Sequence, residues 1–327
     1  MIAIGLVAAV VTTLVAVLIQ WLPDSASEEM DRIAFAYWFT TVISIVIFSV
    51  VVGVIVYAVF AFRAQPDDDT DGPPIHGNST LEVVWTAIPA VLVIAIGVIS
   101  AVVLSRNADA GENPLTVKVF AQQFAWRFEY PNDGGVRSDE LVLPLDRGVQ
   151  LEMESADVIH SFWIPEMAQK QDLVPGIVTK IVVTPTRTGT FALICTELCG
   201  LGHATMRAPV RVVDQAAFAA WLEQGKSDGG DGADGKALFA ANGCGGCHTF
   251  GPAGSAGEIG PALDDLGAAA EAAGQPVAEF VKQSIVDPNA VLAKGYQGTM
   301  PTSFGETMTP EEIDALVAFL TGEEPSQ

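Results

Sequence analysis

Three apolar runs, residues 2–22, about 33–62 and 83–104, fill the first third of this 327-residue chain and constrain its fold before anything else does. Each reaches the ~20 residues that a helix needs to cross the hydrocarbon core of a bilayer. The second and third carry no charged side chain. Pro89, near the start of the third, is compatible with a span, because neighbouring helices can satisfy the carbonyl that proline frees. Half of the residues are apolar and the mean hydropathy is +0.38, above the range of ordinary soluble domains. The first run admits two readings: a further span, or a secretory signal with "SAS" at 25–27 as its cleavage site. It lacks the basic start of a signal, and its apolar stretch is long for one. The loop "RAQPDDDTDGPPIHGNST" between the second and third runs holds too little lysine and arginine to set the orientation.

From Pro114 the texture changes to short β-rich runs such as "LTVKVFAQQFAWRFEY", "VQLEMES", "TKIVVTPTRTGTFALIC" and "APVRVVD". Turn residues separate them, and several alternate with period two, which predicts a β-sandwich or barrel of about a hundred residues. A helical "QAAFAAWLEQ" follows, then "GKSDGGDGADG", a Gly- and Asp-rich linker. Beyond it the pattern is helical. In "TPEEIDALVAFLTG", Thr309 is the expected N-cap, Pro310 the first helical residue and Gly322 the stop. The expected organisation is an apolar segment at 1–30, a transmembrane hairpin at 31–108, a β-sandwich at 109–224, a linker at 225–235, a helical domain at 236–322 and a tail at 323–327.

The net charge of −23, with 16 basic against 39 acidic side chains, argues against a nucleic-acid partner, whose phosphates need a basic surface. Residues 225–327 carry 15 acidic and 4 basic side chains, against 14 and 9 in residues 111–224. The acidic C-terminal part is either a solvated surface or a docking face for a basic partner.

The four cysteines fall in two close pairs, a spacing that predicts metal or cofactor chemistry before a disulfide framework. The first pair lies in "CTELCGLGHATM", between two strands, with Cys195, Cys199, His203 and Met206 positioned to surround one point. Soft thiolates favour copper, zinc or iron–sulfur, and Cys, His and a weak axial Met on a sandwich describe a copper site. A second cysteine four residues on can bridge two metals. Each copper of such a pair needs its own imidazole, and His160 in "DVIHSFWIP" supplies the other. A closed zinc site would leave Met206 unexplained, since methionine is a poor zinc ligand. A buried structural cysteine pair would leave both histidines idle.

"CTELCGLGHATM" together with "VIHSFWIP" resembles subunit II of the haem–copper cytochrome c oxidases over about residues 33–224. The resemblance implies a cupredoxin-like domain that holds the dinuclear copper A centre. Cys195 and Cys199 would bridge the metals, His160 and His203 would take one each, and Met206 would be a weak axial ligand. Glu197 would contribute its backbone carbonyl and turn its side chain to a magnesium ion at the junction with subunit I. "LEVVWTAIP" resembles the start of the family's second helix, where Glu82 sits at the mouth of a proton channel; an interfacial carboxylate is the other reading. In "QQFAWRFEYP", Phe124 replaces the tryptophan that receives electrons in the family, while Trp126 is kept. The replacement argues against direct entry of electrons from a soluble cytochrome at that spot, and ordinary packing between strands and the membrane surface is the other reading for both aromatics.

The second pair lies in "CGGCH", the C-x-x-C-H attachment signature of a c-type haem. Cys244 and Cys247 would form the thioethers and His248 would ligate the iron. "GTMPTSF" offers Met300 as the second axial ligand; Met308 is its rival but lacks the Met-Pro context. The order of motifs over about 235–322 resembles a small class I cytochrome c, an all-α domain, in which Pro261 orients His248 through its carbonyl. A His/Met pair gives a raised potential suited to electron transfer.

Together the resemblances imply a caa-type subunit II with its own cytochrome domain. Electrons would pass from an external donor to haem c, to copper A, and on to subunit I, where oxygen is reduced to water with proton pumping. The implied partners are subunit I, subunit III, and a cytochrome c or quinol–cytochrome c reductase complex as donor. The implied location is the plasma membrane of a prokaryote, with both cofactor domains on the outer face and the hairpin loop in the cytoplasm. The isolated chain would catalyse nothing. A membrane-tethered carrier without a permanent oxidase partner is the alternative, although a mere tether needs only one helix. A nitrous-oxide-reducing enzyme would need a further histidine-rich cluster, and His76 alone is left over.

Overall fold

A computed structural model describes residues 1–63, 72, 74, 76–228, 235–296, 298, 300–302 and 304–322. The chain divides into two units, residues 1–25 with 30–109, and residues 26–29 with 110–327.

The first unit is helical. α1 spans Ile2–Leu18, α2 Glu28–Ala61 and α3 Ser79–Asn107. At ~1.5 Å per residue, α2 and α3 exceed the ~30 Å of a hydrocarbon core, and α1 falls short of it. The first apolar run is thus not helical to its end. Ile19 is extended, and Pro23 disfavours the helical region for its predecessor. α1 meets α2 where glycines leave room. A Cβ on Gly53 would stand 3.2 Å from the Gly5 Cα, and one on Gly5 would stand 3.2 Å from the Ser49 carbonyl oxygen. Such close backbone approach is how helices associate in lipid, where apolar side chains gain nothing by meeting each other. Arg32 at the start of α2 donates to the Asn107 side chain at the end of α3 (3.2 Å), tying the two ends of the hairpin. Most apolar side chains of α2 and α3 are uncovered. The predicted cytoplasmic loop lies mostly outside the described residues.

The second unit begins with a sandwich of two five-stranded sheets. Its strands are β1 (Leu115–Gln122), β2 (Ala125–Tyr130), β3 (Val136–Ser138), β4 (Leu141–Pro144), β5 (Val149–Ser155), β6 (His160–Trp163), β7 (Lys170–Leu173), β8 (Thr179–Val183), β9 (Gly189–Cys195) and β10 (Arg207–Val213). One sheet has the order β3-β2-β1-β5-β8 and the other β4-β10-β9-β6-β7. The alternation seen in "LTVKVFAQ" is the alternation of burial in β1: Leu115, Val117, Val119 and Ala121 point inward. The run "LTVKVFAQQFAWRFEY" breaks into two antiparallel strands at Gln123–Phe124. The Gln123 N–H donates to the Asp157 carboxylate (2.7 Å) instead of to a neighbouring strand. Residues 26–29 are stitched to the same sandwich, where Ala26 N donates to the Glu166 carbonyl and Thr184 N to the Glu29 side chain. The small residues of "SAS" at 26–27 are fully buried there.

Tyr130 on β2 joins the two sheets. Its hydroxyl donates to the Val142 carbonyl and accepts from the Val142 N–H, both at 2.8 Å. Tyr130→Phe leaves two buried backbone groups unpaired. The expected loss is about 1–3 kcal/mol of unfolding free energy, read by urea titration. No shift in the midpoint would show that water replaces the hydroxyl.

α4 (Gln215–Asp228) extends four residues past the expected Gln224 into the linker sequence, and residues 229–234 lie outside the described set. The C-terminal part contains α5 (Gly235–Ala241), α6 (Cys244–Cys247), a ribbon of β11 (His248–Phe250) and β12 (Ser255–Glu258), α7 (Leu266–Ala273), α8 (Val277–Val286), α9 (Phe304–Thr307) and α10 (Pro310–Thr321). It is helical apart from that ribbon. α10 starts with the anticipated Thr309 cap, completed by Glu312 as a capping box, and stops at Gly322 in the left-handed region.

Candidate functional site

His160 opens β6, Cys195 ends β9, and Met206 immediately precedes β10. The neck of the loop 196–205 is closed by Cys195 N donating to the Met206 carbonyl (3.1 Å), and Thr196 N donates to the Ser161 carbonyl (3.0 Å) on the neighbouring strand. The two sulfurs of Cys195 and Cys199 are 3.8 Å apart. Each has its own imidazole: His160 Nδ1 is 3.9 Å from Cys195 Sγ, and His203 Nδ1 is 3.6 Å from Cys199 Sγ. Met206 Sδ stands 3.7 Å from Cys199 Sγ, and the Glu197 carbonyl 3.3 Å from Cys195 Sγ. The ligand atoms of His160, Cys195 and Cys199 lie within 4.8 Å of one another. His160, both cysteines and Met206 are buried, His203 is half-exposed, and the Glu197 side chain is exposed.

The electrostatics of this cluster call for positive charge. Burial raises the Cys195 thiol, yet hydrogen bonding to His160 and to the backbone at Ser161 and Glu197 outweighs it and brings the pKa to about 6. Burial, followed by the charge of Cys195, pushes Cys199 up to about 12. Two thiolates in contact do not ionise together without a cation. Burial also opposes a charged His160, but Asp157 accepts from its Nε2 at 2.8 Å and holds the pKa above the usual imidazole range. That contact fixes the ring so that Nδ1 faces the sulfur, an arrangement typical of metal-binding imidazoles. The donor set therefore fits a thiophilic metal pair.

Sequence reasoning missed Asp157 and Gln123. Asp157 also accepts from the Gln123 and Val158 N–H groups (2.7 and 2.6 Å), and the Gln123 side chain donates to the Cys199 carbonyl. The only available signal was the Asp three residues before His160. Phe124 packs against the 196–205 loop, so closely that a Cβ on Gly202 would run into its ring. Trp126 packs edge-on against His160 (6.2 Å between centroids) and Phe162 (5.9 Å). Both aromatics are buried beside the cluster. Glu82 lies in the first turn of α3, exposed, where its side chain accepts from the Asn78 N–H (3.3 Å). It therefore has a local role at the helix start.

The second cysteine pair borders a cavity of about 500 Å³ lined by Cys244, Cys247, His248, Pro261 and Met300 among apolar side chains. The His248 ring pairs through Nδ1 with the Pro261 carbonyl at 2.7 Å, which leaves Nε2 for another partner. Burial lowers the His248 pKa, favouring the neutral, ligating form. Gly260 packs on that ring so closely that a Cβ would be 2.5 Å from Cε1. Met308 packs in the core of the helical part and is not among the residues that line this cavity. The cavity, the two thiols at one edge and the oriented imidazole fit a covalently attached haem.

The sequence matches the cytochrome C oxidase subunit II family in its transmembrane domain over residues 14–103 and its periplasmic domain over 136–213, and the cytochrome c family over 232–322. Cytochrome c oxidase subunit 2 of Synechocystis sp. is 36% identical over 234 residues, 57% of this chain and 70% of that protein. The subunit 2 of Alkalihalophilus pseudofirmus is 31% identical over 295 residues, 85% of this chain and 84% of that one. The solved periplasmic domain of subunit II of cytochrome oxidase from Bradyrhizobium japonicum is 30% identical and aligns with 37% of this chain and 99% of its own length, with a TM-score of 0.35. Two membrane-spanning helices, a cupredoxin-like sandwich and a helical cytochrome c domain therefore make this chain a membrane protein of the cytochrome c oxidase subunit II family, with an electron-transfer role in an oxidase complex.

Proposed function

We propose that this chain is the electron-accepting subunit of a respiratory cytochrome c oxidase, relaying electrons from haem c to a dinuclear copper A centre and then to subunit I. The observation that carries this reading is the pair of thiols 3.8 Å apart, each with its own imidazole. When bound, the two cofactors supply one-electron chemistry at raised potential. The residues of the chain hold and insulate them. Cys195 and Cys199 would supply the thiolates, His160 and His203 the imidazoles, and Met206 and the Glu197 carbonyl the weaker donors that hold the copper pair. Cys244 and Cys247 would attach haem c, and His248 and Met300 would ligate its iron. Oxygen reduction and proton pumping belong to subunit I.

A permanent partner is favoured by the end of the sandwich that carries the cluster. β6 begins, and β7 and β9 end, at that same end, as the pairs His160–Leu173 and Phe162–Cys195 show. The loops there expose Val158, Ile159, Ile177, Val178, Leu198 and Leu201. An apolar fringe around a buried metal site suits a subunit I surface, with the exposed Glu197 carboxylate available to a magnesium ion at the joint. Both cofactor domains would face the outside of the cell membrane, with the hairpin loop in the cytoplasm and Glu82 near that inner surface. Subunit III and a cytochrome c or quinol–cytochrome c reductase donor complete the assembly.

Elemental and pyridine-haemochrome analysis of the purified complex tests the reading. About two coppers per chain at this site and about one covalent haem c are expected from the ligand set. Zinc at the cysteine pair, or a single ion, overturns it.

A further inference from the structure

A second cavity, of about 700 Å³, is bounded by β2, β3, the end of α4, α5 and the start of α10. Three cationic side chains line it, Arg127, Arg137 and Lys226, together with the carboxylates of Glu129, Asp139 and Glu312. Most of these charges are matched. Arg137 pairs with Glu312 at 2.7 Å and with Glu129 at 3.7 Å. The other Glu312 oxygen accepts from the Thr309 N–H (2.8 Å). Lys226 lays its stem across Gly134, where a Cβ would stand 2.8 Å from Cε, and its ammonium pairs with the exposed Glu223 at 2.7 Å.

Arg127 is the exception. It is half-buried, its Nε is buried without a hydrogen-bond partner, and it forms no ion pair with a described residue. Its guanidinium sits over the Phe120 ring, 4.9 Å from the centre, a contact that holds the charge without supplying an oxygen acceptor. Burial first, and then the charge of Arg137, lower its pKa, and Glu129 and Glu312 offset them only in part. On the same wall Asn242 is buried, with Nδ2 donating to the Leu238 carbonyl (2.8 Å) and Oδ1 lacking a donor. The wall thus lacks an acceptor at one residue and a donor at another.

We propose that this cavity binds a phosphate group, as free hydrogenphosphate or at the end of a small ester, with Arg127 as its main partner and Lys226 at the rim. Two phosphate oxygens match the fork of a guanidinium, and a singly protonated phosphate keeps an O–H to donate to an acceptor such as the Asn242 side chain. Water could satisfy polar atoms here but would leave the charge of Arg127 uncompensated beside Arg137. Asp139, exposed on the same wall, is the carboxylate that would compete for Arg127. The site needs neither copper nor haem.

The test uses the whole complex in phosphate-free buffer, with radiolabelled inorganic phosphate followed by equilibrium dialysis. Binding should be saturable in the parent and about tenfold or more weaker in Arg127→Gln, which loses a charge-assisted pair. Arg127→Lys keeps the charge but not the fork and should lose less. Lys226→Gln, at the exposed rim, should also weaken binding and serves where Arg127→Gln does not assemble; copper and covalent haem contents report assembly. Amide hydrogen exchange over residues 127–129, 134–139 and 224–226 should slow on adding phosphate to the parent and not to Arg127→Gln. Displacement of the label by glycerol phosphate at lower concentrations than by unlabelled phosphate would identify an ester as the occupant, and the reverse order the free ion. Equal phosphate binding by the parent and the assembled variants, or no binding at all, overturns the proposal and leaves the cavity to water.

Discussion

His160→Ala is expected to abolish copper binding and the near-infrared absorption of the copper pair while leaving the covalent haem spectrum intact. The ring is fully buried, sets its Nδ1 3.9 Å from the Cys195 sulfur, and is locked by Asp157. Removing it takes away one of the two imidazoles beside the cysteine pair and exposes Cys195 to a cavity. Asp157→Asn should act through the ring. It keeps the shape but weakens the acceptor, and loss of such a partner costs about 10–100-fold in metal affinity. Titration with copper, read by absorbance, separates the two. A His160→Ala chain that retains a full copper spectrum would place the metals elsewhere.

The second large effect is expected at Gly260. A valine there puts its Cβ where the His248 ring now lies, 2.5 Å from Cε1. The ring has little freedom to retreat, because its Nδ1 is held by the Pro261 carbonyl and the Gly260 N–H is bonded to the Cys247 carbonyl (2.7 Å). Gly260→Val should leave the haem attached through Cys244 and Cys247 yet displace the imidazole, so the low-spin absorption bands are lost. Overpacking adds about 1–3 kcal/mol of destabilisation. Copper content, set in a different part of the chain, should not change. An unaltered low-spin spectrum would mean that His248 is not the iron ligand.

The chemistry was more legible in the sequence than the architecture around it. Cys195, Cys199, His203 and Met206 had to be near neighbours because ligand spacing is local. The Thr309 cap was legible for the same reason: a capping box is written within four residues. Long-range placements were not. Nothing local says that β1 pairs in parallel with β5, or that β10 pairs in parallel with β4. Asp157 and Gln123 are ordinary polar residues until the fold sets one against His160 and the other against Cys199. Hydropathy alone overran the end of α1, because it weighs Trp21 and Leu22 as apolar and is blind to the effect of Pro23 on the backbone before it.

The closed neck of the 196–205 loop has a consequence for speed. Its two ends are clamped to each other and to the neighbouring strand by the Cys195–Met206 and Thr196–Ser161 bonds, and its interior is pressed by Phe124. With the proposed copper pair held there, donor atoms so confined would keep their positions when the charge between them changes by one. Little nuclear rearrangement would then accompany each transfer, and the activation barrier would stay low even where the driving force is slight.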